Sequence, residues 1–347
     1  MKLFYCLCLL FIVACNSKEK KTEPTYFSSV EIETILEDSI SVRALELMGP
    51  NLAFATNNGK YGMYDPVKEV WKTNVQKYDT ITPEFRAVAS TKSDFFMLSV
   101  GNPALLYKTG DSGSMELVYK EENEKVFYDS MAFWDDSEGI AMGDPTENCL
   151  SIILTRDGGE TWNKISCDNL PASAEGEAAF AASNSNIAIQ GDKTWILSGG
   201  LKSRIFFSPD KGETWKVFET PIIQGFATTG GYSLDFYDEN IGFIIGGDYT
   251  KPEDNQSNKA VTKDGGKTWQ LVAVGEEPGY KSSVRYVPGK SGEELVAVGF
   301  TGISYSKNGG NKWKNLSKEG FFTIRFLNDS VAYAAGKNRI AKLKFKK

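Results

Sequence analysis

The chain has 347 residues, 39 basic against 45 acidic side chains, a formal net charge of −6 and no histidine. Without histidine there can be no Ser-His-Asp or Cys-His catalytic arrangement, and a zinc site would have only cysteines and carboxylates to use. The acidic balance argues against nucleic acid as a partner and against a polybasic membrane contact.

The N-terminus comes first in chain order. Lys2 precedes an apolar run of about eleven residues, Leu3 to Val13, too short for a spanning helix, which needs about 20. The run ends in Ile12-Val13-Ala14-Cys15, followed by Asn16-Ser17-Lys18-Glu19. This pattern resembles a bacterial lipoprotein signal, which implies cleavage before Cys15 and acylation of that cysteine. Residues 1–14 are thus expected to be a removable signal, and residues 15–25, charged with Ser, Thr and Pro, a flexible tether. The expectation is an exported protein held at the cell envelope by its lipid, since several acyl chains anchor firmly without a transmembrane helix.

The remaining stretch, 26–347, has no linker-like break and is organised by a repeat. An octet occurs as Thr155-Arg-Asp157-Gly-Gly159-Glu-Thr161-Trp162 and again as Ser208-Pro-Asp210-Lys-Gly212-Glu-Thr214-Trp215. It returns as Thr262-Lys-Asp264-Gly-Gly266-Lys-Thr268-Trp269 and, altered, as Ser306-Lys-Asn308-Gly-Gly310-Asn-Lys312-Trp313. Weaker copies begin at Thr109 and at Tyr64. The physical content is a hairpin turn: the Asp side chain bonds turn amides, glycine supplies positive φ, and the Trp opens the next strand and buries its ring. These residues are therefore read as structural, not catalytic.

Spacing between octets is about 45 to 55 residues, one four-stranded propeller blade. Between octets lie short apolar runs bounded by Gly, Asp and Asn, such as Met131-Ala-Phe133 then Gly139 to Gly143, which are strand signals. No segment sustains a helical apolar period. Six blades end in an octet or its remnant. Phe321 to Phe345 supplies three more strands, and Phe27 to Leu36 is a spare strand before the first blade. The fold expected is all-β: one propeller of about seven four-stranded blades, the N-terminal strand closing the ring as the outer strand of the last blade.

The octets resemble the Asp box, or BNR repeat, and with the Gly-terminated strand pairs the pattern resembles Asp-box propellers of the photosystem II stability/assembly factor-like group. That resemblance implies a non-enzymatic propeller that binds a partner protein or assists an assembly. The second group using such boxes is the sialidase superfamily, which implies a glycan-acting hydrolase as the alternative. Its early Arg-Ile-Pro motif is absent: Arg43 and Arg86 are each followed by Ala. No G-x-G-x-x-G opens a βα unit and nothing has P-loop form, so no cofactor or metal is expected and no catalytic set is nominated. The chain is taken to act as a monomer.

Candidate binding residues are charges in or near the first strand of each blade. Arg43, Arg86, Arg285 and Arg325 fall in blades one, two, six and seven; Asp129, Glu177 and Asp235 in blades three, four and five. First strands line the channel of a propeller, so these positions suggest a mouth basic on one side and acidic on the other. Such a mouth would take an envelope protein's acidic segment or another anionic ligand. Tyr232 and Tyr280 read as core or rim packing, with a sugar platform as the other use. Asp248 to Lys259 and Asn169 to Glu177 read as inserted loops, which often carry binding. Cys149 and Cys167 fall nearly opposite each other across an octet turn, and are either a disulfide or two reduced thiols.

Overall fold

Seven antiparallel sheets arranged in a ring make up this computed structural model, which describes Met1 and residues 26–110 and 114–347. Residues 2–14 of the signal, Cys15 and the rest of the tether lie outside the described residues, as does Asp111 of the weak octet. The inner strands are Ala44–Met48, Phe85–Ser90, Tyr128–Phe133, Ile187–Gln190, Thr229–Phe236, Ser283–Tyr286 and Thr323–Phe326, blades one to seven in order. Inner strands of successive blades touch all the way round, blade seven meeting blade one. Each blade steps outward strand by strand. Its second strand, such as Phe95–Ser99 or Leu295–Gly299, is buried throughout because both faces are covered by neighbouring blades. Outer strands such as Val70–Val75 are mostly exposed.

The apolar core is accordingly divided into layers between blades. Leu52 and Phe54 of blade one pack on Tyr333, Ala335 and Ile340 of blade seven, and each later junction repeats the arrangement. One further cluster, Ala182, Tyr232 and Tyr280 with Phe180 against them, belongs to none of these layers.

The ring closes as its sequence implies. Ser29–Ser41 pairs antiparallel with Lys337–Lys346 and becomes the outer strand of blade seven, with Phe27 stacked 5.0 Å from Phe345. Joining chain start to chain end in one sheet leaves no unpaired inner edge at the seam.

The octets are the turns between third and fourth strands. Thr155 Oγ1 donates to Asp157 Oδ1 at 2.8 Å and accepts from the Gly159 amide at 2.9 Å. Asp157 then accepts the Thr161 amide at 3.0 Å and its hydroxyl at 2.7 Å. The turns at Asp210 and Asp264 repeat this set. Asn308 keeps the 2.9 Å bond to the residue-312 amide, but Lys312 brings no hydroxyl for a second one. The glycine at the fifth position of the octet is required twice over. Gly159 has φ +82, and a Cβ there would stand 2.3 Å from Phe96 of the preceding blade. Trp215, Trp269 and Trp313 close their turns by donating Nε1–H to the carbonyls of Gly212, Gly266 and Gly310.

Blade four departs from expectation. Its inner strand begins at Ile187, not near Glu177. The long connection before it carries a 3-10 turn at Cys167–Asn169, and a disulfide joins Cys167 back to Cys149 of blade three. It also carries a two-residue strand, Glu177–Ala178, which pairs with Gly199–Gly200 and through it joins the inner edge of blade five.

Candidate functional site

In six blades one triplet recurs at or near the start of the inner strand: Val42-Arg43-Ala44, Phe85-Arg86-Ala87, Tyr128-Asp129-Ser130, Gly231-Tyr232-Ser233, Lys281-Ser282-Ser283 and Phe321-Phe322-Thr323. In five of them the first residue donates its amide to a carbonyl of the preceding blade, as Val42 does to Gly336 at 3.1 Å and Phe321 to Gly299 at 3.0 Å. The middle residue stands outside the ladder. Register shifts skip Arg86, Asp129 and Tyr232, while Arg43, Ser282 and Phe322 precede the first paired residue of their strands. A bulge of this kind re-aims one side chain and resets the alternation behind it. The third residue further on therefore also faces the channel: Glu46, Ala89, Ala132, Asp235, Arg285 and Arg325. Two rings of side chains result, one at each end of the channel.

The upper ring, where inner strands begin, surrounds a cavity of about 520 Å³. Its wall is aromatic over blades four to seven. Phe180 stacks on Tyr232 at 3.8 Å, Tyr280 meets Tyr232 edge-on at 4.8 Å, and Phe300 leans on Tyr280 at 5.2 Å. The exposed rings of Tyr249 and Phe300 extend this wall to the rim. Blades one to three contribute charge. The Arg43 guanidinium lies 4.3 Å over the Phe322 ring and reaches one backbone acceptor, the Ala182 carbonyl, at 3.5 Å. It forms no ion pair among the described residues, and burial, with Arg86 next, pulls its pKa down. Arg86, by contrast, is held by Glu84 at 2.6 Å. Asp144 accepts the Ala179 amide at 2.7 Å, yet burial raises its pKa to about 6. Neither carboxylate oxygen of the fully buried Asp129 has a well-formed hydrogen bond. Its pKa rises strongly through burial and the nearby Asp144, with Arg86 and the Ala181 backbone opposing the rise.

Beneath the cavity the channel is plugged by the segment 182–186. Asn184, with φ +53, donates to the Val88 carbonyl at 2.7 Å and accepts from the Met131 amide at 3.0 Å. Ser183 donates to the Ser282 carbonyl at 2.6 Å and its own carbonyl takes the Thr323 hydroxyl at 2.9 Å. The Ser185 carbonyl takes the Leu234 amide at 3.0 Å. One short segment thus ties blades two, three, five, six and seven together across the axis and separates the two rings.

The lower ring lines a smaller cavity of about 260 Å³ on the face that carries the octet turns. Here the charges answer each other: Arg285 to Asp235 at 3.3 Å, Arg325 to Glu46 at 3.6 Å. Arg325 also donates to the Asn184 carbonyl at 2.8 Å and the Ile324 carbonyl at 3.0 Å. Burial still lowers its pKa to about 10.

The seven charges expected at one mouth are therefore distributed. Arg43 and Arg86 share the upper mouth with Asp129 just behind it; Arg285, Arg325 and Asp235 stand at the lower one. Glu177 belongs to neither ring. It lies in the connection before blade four, where Arg204 pairs with it at 2.5 Å and Ser198 donates to it at 2.5 Å. Tyr232 and Tyr280 are wall residues of the upper cavity. Sequence reasoning missed Phe180, Phe322, Asp144 and Asn184. The triplet of buried, variable and small residues would have located Phe322; nothing local marks Asn184.

No family model matches the chain, and no curated protein matches it in sequence. Solved structures do. YCF48 bound to D1 peptide aligns with a TM-score of 0.66 at 12% identity, over 92% of this chain and 96% of that one. YCF48 from Cyanidioschyzon merolae gives 0.64 at 11%, over 92% and 98%. The structure of U3-55K gives 0.62 at 10%, over 91% and 98%. The likeness is one of fold.

Proposed function

We propose that this protein is a non-enzymatic binding module of the bacterial envelope, tethered through acylated Cys15, which captures an acidic group of a partner protein in the upper cavity. Arg43 carries the reading. A guanidinium stripped of much of its water, with no ion pair among the described residues and set against an aromatic wall, is primed for an anionic group that brings apolar surface with it. The plug below makes the cavity a blind socket, not a passage. A YCF48 propeller of the same architecture has been captured with a D1 peptide, which supports a polypeptide as the class of ligand here.

The test is co-purification from native membranes with the full-length chain and its Arg43→Glu variant. A specific protein retained by the wild type and lost from the variant supports the reading. Equal retention by both sinks it, and cleavage of a glycan panel by the purified protein would return the hydrolase alternative. Labelling with a palmitate analogue that persists in Cys15→Ser would remove the lipid anchor from the proposal.

A further inference from the structure

A second cavity, also of about 520 Å³, adjoins the first and shares Asp144 and Ala178 with it as wall. The two are floored by a single stretch of chain: residues 173–178 line the outer cavity and residues 178–182 the central one. Apart from Phe180, the residues from Ala178 inward are alanines, and Ala174 and Gly176 continue the small side chains outward. The floor is therefore mostly backbone, which leaves room for an extended chain lying over it.

This floor is fixed from behind. The Glu177 side chain is fully buried, accepting Arg204 Nε at 3.0 Å, Ser198 Oγ at 2.5 Å and the Ala174 amide at 2.8 Å. Glu177–Ala178 pairs with Gly199–Gly200. The Ser173 amide donates to the Asn148 carbonyl at 2.9 Å, next to the Cys149–Cys167 disulfide. A groove built in advance takes a linear ligand without the cost of ordering its own backbone.

Its two ends carry opposite charge. The central end has Arg43. The outer end has Glu147 and Glu175, both exposed and without an ion pair among the described residues, with Asp144 at the junction and Lys125 as the one base on that wall. We infer that the partner is a linear polypeptide segment laid across Ala178, with an Asp or Glu side chain at Arg43 and a Lys or Arg side chain between Glu147 and Glu175. This deepens the binding role proposed above and rests on it. Charge of both signs in a fixed order gives direction to the bound chain: a segment with its acid and base exchanged would place like charge against like at both ends.

The experiment uses the full chain and fluorescent peptides acetylated and amidated at their ends, so that no terminal charge competes. One series carries a Glu and a Lys separated by about two to six small residues, each spanning ~3.3 Å when extended. Controls carry the Glu alone. The expected result is that, at one spacing, the dipolar peptide binds the wild type about tenfold more tightly than the Glu-only peptide. E147K/E175K should remove that gain while leaving the Glu-only affinity in place, and a Glu–Glu peptide should recover it on that variant. If E147K/E175K binds the dipolar peptide as the wild type does, while Arg43→Glu does not, the groove is wrong and the central socket stands. If Arg43→Glu changes no peptide's affinity, both fall. Absence of any measurable dipolar binding across the spacing series also overturns the inference.

Discussion

The two ends of the channel are made from the same strands and furnished with arginines in similar sequence settings, and they differ in what those arginines have left to bind. At the lower end Arg325 meets Glu46 and two backbone carbonyls, and Arg285 meets Asp235. At the upper end Arg86 is held by Glu84, but Arg43 has a ring beneath it and one long contact to a carbonyl. Residue type and strand position do not separate these cases; the neighbours three residues along do, because blades one and five place Glu46 and Asp235 in the lower ring. The lower arginines are thus parts of the ring's internal bonding, and Arg43 is a part of its surface chemistry.

The sharpest way to break this comparison is to remove one cation from each end. Arg325→Met leaves the Asn184 carbonyl and Glu46 without their donor in a buried setting, so stability should fall by about 3 kcal/mol. Affinity for an acidic peptide should stay within a few fold. Arg43→Met, which abandons no carboxylate, should change stability by less than about 0.5 kcal/mol and lose that affinity. Denaturant titration paired with peptide binding reads both. Equal destabilisation by the two variants would erase the distinction between the ends.

That distinction was only half legible in the sequence. Blade count, octet turns and the N-terminal closing strand all follow from local signals: the Asp157, Asp210 and Asp264 turns state their own hydrogen bonding, and Phe27 to Leu36 had no other blade to join. The inner strands are harder because alternation alone assigns sides, and a bulge resets the alternation. Arg86 and Arg325 both sit near the start of an inner strand, but only Arg86 occupies the bulge. Blade four was harder still. Its inner strand follows a connection whose residues pair with blade five and plug the axis, so the apolar and polar pattern around Glu177 reflects contacts far away in sequence. Asn184 is decisive for the plug through partners 53 and 96 residues distant, which no local pattern records.

The acid side of the upper mouth offers a smaller effect with a definite sign. Asp144 and Asp129 both have carboxyls raised above the ordinary value by burial, Asp144 to about 6. A folded value above the unfolded one means that the native state holds its proton longer. The stabilisation is complete below about pH 4 and is lost as the pH rises through about 6. Asp129 is faced by Asp144 and Arg86; Asp144 shares its cavity walls with Arg43 and Arg86 on one side and with Lys125, Glu147 and Glu175 on the other, and the Ala179 amide opposes its rise. Asp144→Asn should therefore gain about 1–2 kcal/mol relative to the wild type at pH 8 and little at pH 4. A tenfold change in proton affinity corresponds to about 1.4 kcal/mol, and a half-buried carboxyl realises only part of it. Denaturant midpoints measured across that range give the answer. A variant whose advantage is the same at both pH values would show that the Asp144 carboxyl titrates normally.

The smallest expected effect lies in the octets and sharpens the same lesson, that an identical framework leaves different bonding unfilled. Asp264 makes the full set of turn bonds, with Thr268 contributing amide and hydroxyl. Asn308 accepts the Ser306 hydroxyl at 3.1 Å and the Lys312 amide at 2.9 Å, but position 312 offers it no hydroxyl. Asp264→Asn should cost about 1 kcal/mol, because one oxygen is replaced by an amide that cannot accept the Thr268 hydroxyl. Asn308→Asp alone should change little, since no second donor awaits the new oxygen. Combined with Lys312→Thr it should recover several tenths of a kcal/mol, with a coupling between the two substitutions that neither shows separately. Strict additivity in that double-mutant cycle would mean that the second carboxylate bond contributes nothing in any octet. The turns would then owe their stability to the inter-blade packing of Gly159, Gly212, Gly266 and Gly310 against the preceding blade, and the Asp side chain would serve only to shape the turn.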